Sequence, residues 1–549
     1  MYSKSFILFL LLTIPFLGST QKRIYDKGLL FYEAKQYHNA LEYFYSDKTA
    51  NFNKELLIRR IICNYQTGKI DKAKEDVSKI LTLESYPPET FFVIGQIYQS
   101  EANFDKAVEN YKTYLRQAPK ASNKAEVIKS IKQCGKAKRL AYKEAEAFVD
   151  NYGNIINTEY DEFRMIQSPN YESKFYFSSA REGSNGGRRD IKGKRDDVFG
   201  FYNSDMYTVE SDGGEWLPIR ALNPFINSSR DELALDFSSD GSILFYMKGE
   251  SYDKGVIYTD TFSVDSKEKL QPKPLNVPID GNNGDTWLYL FNDKTILFAS
   301  DRPGGYGGYD LYVTYSQDGL WSKPKNLGPT VNSKYDEISP CISAGGKMLY
   351  FSSNRLESFG GFDVFKSTFN VESGQFDLAT NVGMPINSAG NDNGLYLNKD
   401  GKTATLSSDR KDGFGGYDLY IVYFKEDIKD QKKSEPSLAF ISNDEFVAFN
   451  QLPPVPIEKV KESKKPKEIK ENKTVAIADE KEVKRTPKKT PVNKPKTKKK
   501  KKKKSDSKKQ NAKAKTNAKI ANSGIKHYML NPVFYEKTRN LLMLNQKKN

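Results

Sequence analysis

The chain has 549 residues, too many for one hydrophobic core, and its 33 Phe, 34 Tyr and 3 Trp favour a β-rich body. Its formal charge of +16 is not a property of the whole: residues 457–549 hold 31 of the 86 Lys+Arg and 9 of the 70 Asp+Glu, so 55 bases face 61 acids in residues 1–456. Three cysteines (Cys63, Cys134, Cys341) make no disulfide framework or metal-ligand spacing, and two histidines (His38, His527) exclude a histidine-dependent triad or a multi-histidine metal site.

Residues 1–20 read as a secretory signal: Lys4, an apolar run from Phe6 to Leu17, then Gly18-Ser19-Thr20. The run is short for a membrane span, and an uncleaved anchor is the alternative. Residues 21–149 read as helical. Ala40, Ala73 and Ala107 lie 33 and 34 residues apart, and Gly95, Tyr98, Phe104, Tyr111, Tyr114 and Pro119 surround the last of them. Gly28, Phe31, Tyr37 and Phe44 repeat that spacing, and Gly68, Ile70 and Leu81 follow it more loosely. A small residue at the alanine position lets paired helices approach closely. The pattern resembles the tetratricopeptide repeat family, with a charged amphipathic capping helix expected over 123–149.

Over residues 150–425 the period changes. The pairs Ile156-Asn157, Ile226-Asn227, Ile279-Asp280, Val331-Asn332 and Ile386-Asn387 recur, each followed by an acid: Asp161, Asp231, Asp285, Asp336 and Asp392. A strand ending in Ser-(Asp/Asn)-Arg comes next, closing on Arg302, Arg355 and Arg410. Then comes a Gly-Gly-aromatic-Asp run with Asp310, Asp363 and Asp418. Short alternating segments between Gly, Asn, Asp and Pro turns predict an all-β propeller of five visible blades. The first blade has an insertion around Gly183–Asp197, and the second is degenerate, with Met247-Lys248-Gly249 at the serine turn and Val256 at the later acidic position. The repeats resemble WD-type (PD40-like) propellers of the TolB and tricorn class. The fifth unit lacks an outer strand: Phe148 to Ile156 is one source, and a sixth blade drawn partly from Ser437 to Phe449 is the other.

Recurrence assigns Arg302, Arg355 and Arg410, each with the Asp one hairpin later, to charge-assisted bonds within a blade. The alternative is a ring of funnel acids (Asp161, Asp231, Asp285, Asp336, Asp392) serving glycan hydrolysis. Their adherence to the repeat argues against a catalytic pair, and the chain is expected to be no enzyme and to need no cofactor. No dense Asp loop suits a metal.

Residues 426–526 are Lys/Pro-rich and read as a disordered linker. Its run Lys498, Lys499, Lys500, Lys501, Lys502, Lys503 and Lys504 suits a polyanion, namely anionic lipid, lipopolysaccharide or wall polymer. Behind a secretory signal, nucleic acid is not an expected partner. Residues 527–549 regain apolar side chains (Tyr528 to Tyr535, Leu541 to Leu544) and read as a short docking motif.

Signal, tetratricopeptide repeats and TolB-type propeller together resemble envelope proteins of Bacteroidetes-type bacteria, some of which serve type IX secretion or gliding. The peptidoglycan-binding domain that often follows has no counterpart in this tail. The resemblance implies a periplasmic or outer-membrane-associated scaffold for protein–protein contacts, with a glycan-binding or glycan-hydrolysing propeller as the alternative.

Overall fold

The computed structural model describes residues 24–47, 53–187, 194, 196, 202–251, 254–261, 273–275, 277–281 and 284–426. The signal (1–20), the segment Ser437–Phe449, the lysine run and the 527–549 motif lie outside the described residues.

Seven helices come first among the described residues: α1 (24–33), α2 (Tyr37–Ser46), α3 (Lys54–Gln66), α4 (Ile70–Ile80), α5 (Glu89–Ser100), α6 (Phe104–Gln117) and α7 (Lys124–Leu140). Asn53 starts α3, its side-chain oxygen accepting from the amides of Glu55 and Leu56 at 3.0 and 3.3 Å. Ala40, Ala73 and Ala107 are fully buried. A Cβ on Gly95 would come within 2.5 Å of the Tyr111 ring, so α5 and α6 touch there only because the side chain is missing. Cys63 and Cys134 are buried in α3 and α7, and Cys341 in a propeller strand; all three are free thiols. No described helix is long and apolar enough to cross a membrane.

Five antiparallel sheets follow, one per blade. Blade 1 holds β2 (Glu162–Gln167), β3 (Lys174–Ser179), β4 (Asp205–Asp212), β5 (Glu215–Trp216) and β6 (Arg220–Ala221). Blade 2 holds β7 (Asp231–Phe237), β8 (Ile243–Ser251), β9 (Lys254–Thr261) and β10 (Lys273–Pro274). Blade 3 holds β11 (Asp285–Asn292), β12 (Thr295–Ser300), β13 (Asp310–Gln317), β14 (Leu320–Trp321) and β15 (Lys325–Asn326). Blade 4 holds β16 (Glu337–Ile342), β17 (Met348–Ser353), β18 (Asp363–Asn370), β19 (Gln375–Phe376) and β20 (Thr380–Asn381). Blade 5 holds β21 (Asp392–Leu397), β22 (Thr403–Ser408) and β23 (Asp418–Phe424), and its outer strand is β1 (Ala147–Asn151). The innermost strands β2, β7, β11, β16 and β21 neighbour one another in that order, and β21 meets β2 again.

The latch is thus the segment just before the ring, in register from Ala147 opposite Phe424 to Asn151 opposite Tyr420. This corrects the capping helix expected to reach residue 149: α7 stops at Leu140, and the boundary drawn at 149/150 falls inside β1. The reason lies in a repeated Asn-x-Gly-x-x-x-Asn run. Asn326-x-Gly328…Asn332, Asn381-x-Gly383…Asn387 and Asn151-x-Gly153…Asn157 share it. In each, the first Asn accepts from the Gly amide and from the second Asn, and donates to Asp310, Asp363 or Asp418 at 2.6–2.9 Å. The second Asn pairs its amide with a strand backbone, as Asn332 does with Leu311 at 2.8 and 3.0 Å. It satisfies a buried N–H and C=O where no strand runs.

Candidate functional site

Each blade rim is built on one buried ion pair. Arg302 reaches Asp285 at 2.8 Å, Arg355 reaches Glu337 at 2.9 Å and Arg410 reaches Asp392 at 2.8 Å. Blade 1 uses Arg181 with Glu162 at 3.5 Å, and the degenerate blade 2 uses Lys248 with Glu232 at 3.7 Å. Each arginine also folds back on the serine two residues before it. The expected pairing of arginine with the Asp one hairpin later is therefore corrected. Asp310, Asp363 and Asp418 instead accept from the amides of Tyr306, Phe359 and Phe414, closing the glycine turns. Main-chain donors four residues away are held by the turn itself, so they outcompete a long side chain.

The five acids of the expected ring occupy two inequivalent positions. Asp285 and Asp392 open their inner strands opposite Ser300 and Ser408, the place held by Glu162 and Glu337 in other blades. Both are buried in the ion pairs. Asp161, Asp231 and Asp336 stand one residue earlier and tie adjacent blades. They accept from the amides of Tyr417, Ser204 and Tyr309 at 2.7–3.1 Å. The sequence reading missed Glu162, Glu232 and Glu337 because an acid stood beside each and the repeat was aligned one residue out.

The axis carries a cation. Arg164, on β2 with φ +44°, is fully buried and donates to Leu235 O in blade 2, Leu288 O in blade 3 and Ser339 Oγ in blade 4. Its own amide donates to Ser407 Oγ in blade 5. Its guanidinium lies 5.7 Å from the Trp287 ring and 5.6 Å from Tyr396. Burial holds its pKa below the ordinary value, against the pull of Asp236. One side chain from a single blade thus fills the centre, where the alternative reading of the sequence placed a funnel.

Helices and propeller meet at the rim. Gln99 Nε2 donates to Phe359 O at 2.7 Å and Gln133 Nε2 to Gly360 O at 2.6 Å, while the buried Phe359 ring lies 6.2 Å from Phe104. Lys136 pairs with Glu357, and Lys411 Nζ sits 4.9 Å over the Tyr65 ring. Beside this seam is a cleft of about 640 Å³, lined by Lys35 to Asn39 from the α1–α2 turn and the start of α2, and by Glu159 to Asp161, Tyr202, Asp409 and Lys411 from blades 1 and 5.

Asp161 is the one ring acid in this cleft. Its counterpart in blade 4, Asp336, takes the side-chain amide of Asn354 at 2.7 Å. In blade 5 the same pair is reversed, Asn391 donating to Asp409 at 2.7 Å. Blade 1 has Ala180 at the position of Asn354 and Asp409. Asp161 keeps the Tyr417 amide on Oδ1 at 2.8 Å, and among the described residues no side chain reaches its other oxygen. Burial raises its pKa, with Asp409 and Asp231 adding to the rise. Close by, Tyr160 is pushed up to about 12 by burial and Glu159, and burial lowers His38, whose Nε2 is buried with no hydrogen-bond partner among the described residues. No group of three or more metal-ligating side chains occurs among the described residues.

No family model and no curated protein matches the chain. Solved structures with similar propellers include the NanB sialidase from Streptococcus pneumoniae, 12% identical over 51% of this chain and 58% of that one, with a TM-score of 0.29. Others are the alpha-L-arabinofuranosidase from Lactobacillus brevis (12% identity, 50% and 92% of the two chains, TM-score 0.31) and the Trypanosoma rangeli sialidase (12%, 46% and 44%, 0.26). This chain thus spans a little over half of the NanB sialidase. The likenesses show the propeller fold alone. The expectation that the chain is no enzyme does not stand, because the propellers it is set beside belong to sialidases, an arabinofuranosidase and peptidases.

Proposed function

We propose that the chain is an envelope-located recognition protein that holds partner proteins on a surface made jointly by its helices and its propeller. What supports the reading is the seam at blade 4. Gln99, Gln133 and Phe359 are all buried there, so the helices present their turns and the blade rims as one face. A surface preorganised in this way loses little entropy on binding. In the same proposal, the lysine run Lys498–Lys504 contacts anionic lipid, lipopolysaccharide or wall polymer. Holding partners is compatible with chemistry at the cleft.

Crosslinking capture from cell envelopes tests it, comparing the unmodified chain with Phe359→Ser. The unmodified chain should recover a defined set of envelope proteins and the seam variant should lose most of it. Equal recovery by both, or none by either, would sink the joint surface.

A further inference from the structure

Among the described residues Asp161 is the one rim acid at this position whose second oxygen no side chain serves: Asp231, which faces Gly249, takes Asn203 Nδ2 at 3.5 Å. Asp336 has its asparagine, and Asn391 has its aspartate. Asp161 has Ala180, whose methyl group offers nothing to the second carboxylate oxygen. The departure coincides with the cleft, since both Asp161 and Ala180 line it. Two further features of the lining match. His38 Nε2 is buried with no hydrogen-bond partner among the described residues, and three tyrosines line the same cleft: Tyr37, Tyr160 and Tyr202, the last two edge-to-face at 5.7 Å.

We propose that this cleft is an oligosaccharide-binding site, with the open oxygen of Asp161 accepting from a ring hydroxyl and the tyrosines offering flat faces to the sugar. A sugar hydroxyl donates where the missing amide would have donated. Tyrosine combines an apolar ring with a polar tip, which suits a ligand having C–H faces and hydroxyl edges. The charged lining is net acidic, Lys35 and Lys411 standing among Glu159, Asp161, Asp196 and Asp409, so a cationic guest is the competitor that the test below has to separate from a neutral, hydroxyl-rich one. The cavity is in the range of small-ligand sites. This binding function is separate from protein recognition at the seam, and either could fail alone.

Calorimetric titration of the full chain with cellotetraose, chitotetraose, maltotetraose and an arabinotetraose tests the site, with tetralysine as the cationic comparison. At least one sugar should bind. Ala180→Asn, which restores the amide that serves blade 4, and Asp161→Asn, which keeps the shape, should each weaken it about tenfold or more. Thermal melting of both variants should stay near that of the parent. No binding by any sugar overturns the proposal, as does an affinity unchanged in Asp161→Asn. Binding of tetralysine alone also overturns it and makes the cleft a cation site.

Discussion

Arg164 in the first blade donates to the main-chain carbonyl of Leu235 in the second, from Nε at 3.3 Å and from Nη2 at 3.2 Å. With Leu288, Ser339 and Ser407 as further partners, a single residue touches all four other blades. Removing it leaves buried carbonyls unserved and a void on the axis. Arg164→Ala should therefore cost on the order of 3–5 kcal/mol, read as a lower denaturant midpoint of the propeller. Arg164→Lys should also destabilise, because a point charge cannot fork to three acceptors. A lysine variant as stable as the parent would show that charge alone matters.

The rim pairing is open to a double-mutant cycle. Arg302 lies 2.8 Å from Asp285, whereas Asp310 is served by the amides of Tyr306 and Gly307. The Arg302→Ala and Asp285→Asn pair should couple by about 1–3 kcal/mol, while Arg302→Ala and Asp310→Asn should add within about 0.5 kcal/mol. Equal coupling in both cycles would restore the within-hairpin pairing that recurrence alone suggests.

The five blades were legible because each repeats a strand pattern with marked turns, and the latch because an unclaimed strand lay just before the ring. Asn151, six residues before Asn157, matches Asn326 and Asn381 in spacing, so even its register was written in the chain. The rim was legible only in part. Recurrence names residues that bond but not to whom, and the adjacent acids at 161–162, 231–232 and 336–337 hid which one faces the arginine. Arg164 left no trace, since its blade equivalents Trp287, Ser339 and Gly394 share only a positive φ, not a side-chain type. Ala180 carried a signal that could have been read, as a missing Asp or Asn between Ser179 and Arg181, where Asp301, Asn354 and Asp409 stand in other blades. The seam was out of reach: Gln99 and Phe359 are 260 residues apart.

Burial of carboxyls sets a pH dependence of uncommon sign. Burial pushes Glu162 and Glu232 up to about 7, and Asp205, Asp236 and Asp418 up to about 6. A carboxyl whose folded pKa lies above its unfolded value binds more protons when folded. Its contribution is full below the unfolded value near 4 and is lost as pH rises through 6 to 7. Melting should therefore rise by several degrees, roughly 5 °C, from pH 8 to pH 5.5. Glu232→Gln should flatten part of that slope and raise the melting point at pH 8. A melting point that climbs from pH 5.5 to 8 would contradict the buried-acid account.

The seam should be the weak link between helices and propeller, and one ring decides it. Phe359 is 1% exposed against Phe104, while its blade equivalents Tyr306 and Phe414 are 51% and 42% exposed. The three occupy the same turn, so their difference is purely what covers them. Phe359→Ala should cost about 3–5 kcal/mol of docking through the cavity it leaves. Phe414→Ala should change stability by no more than about 0.5 kcal/mol. Limited proteolysis between α7 and β1, at residues 141–146, reads the difference: cleavage should quicken in Phe359→Ala and stay at the parent rate in Phe414→Ala. Unchanged cleavage in Phe359→Ala would mean that Gln99 and Gln133 hold the seam without the ring.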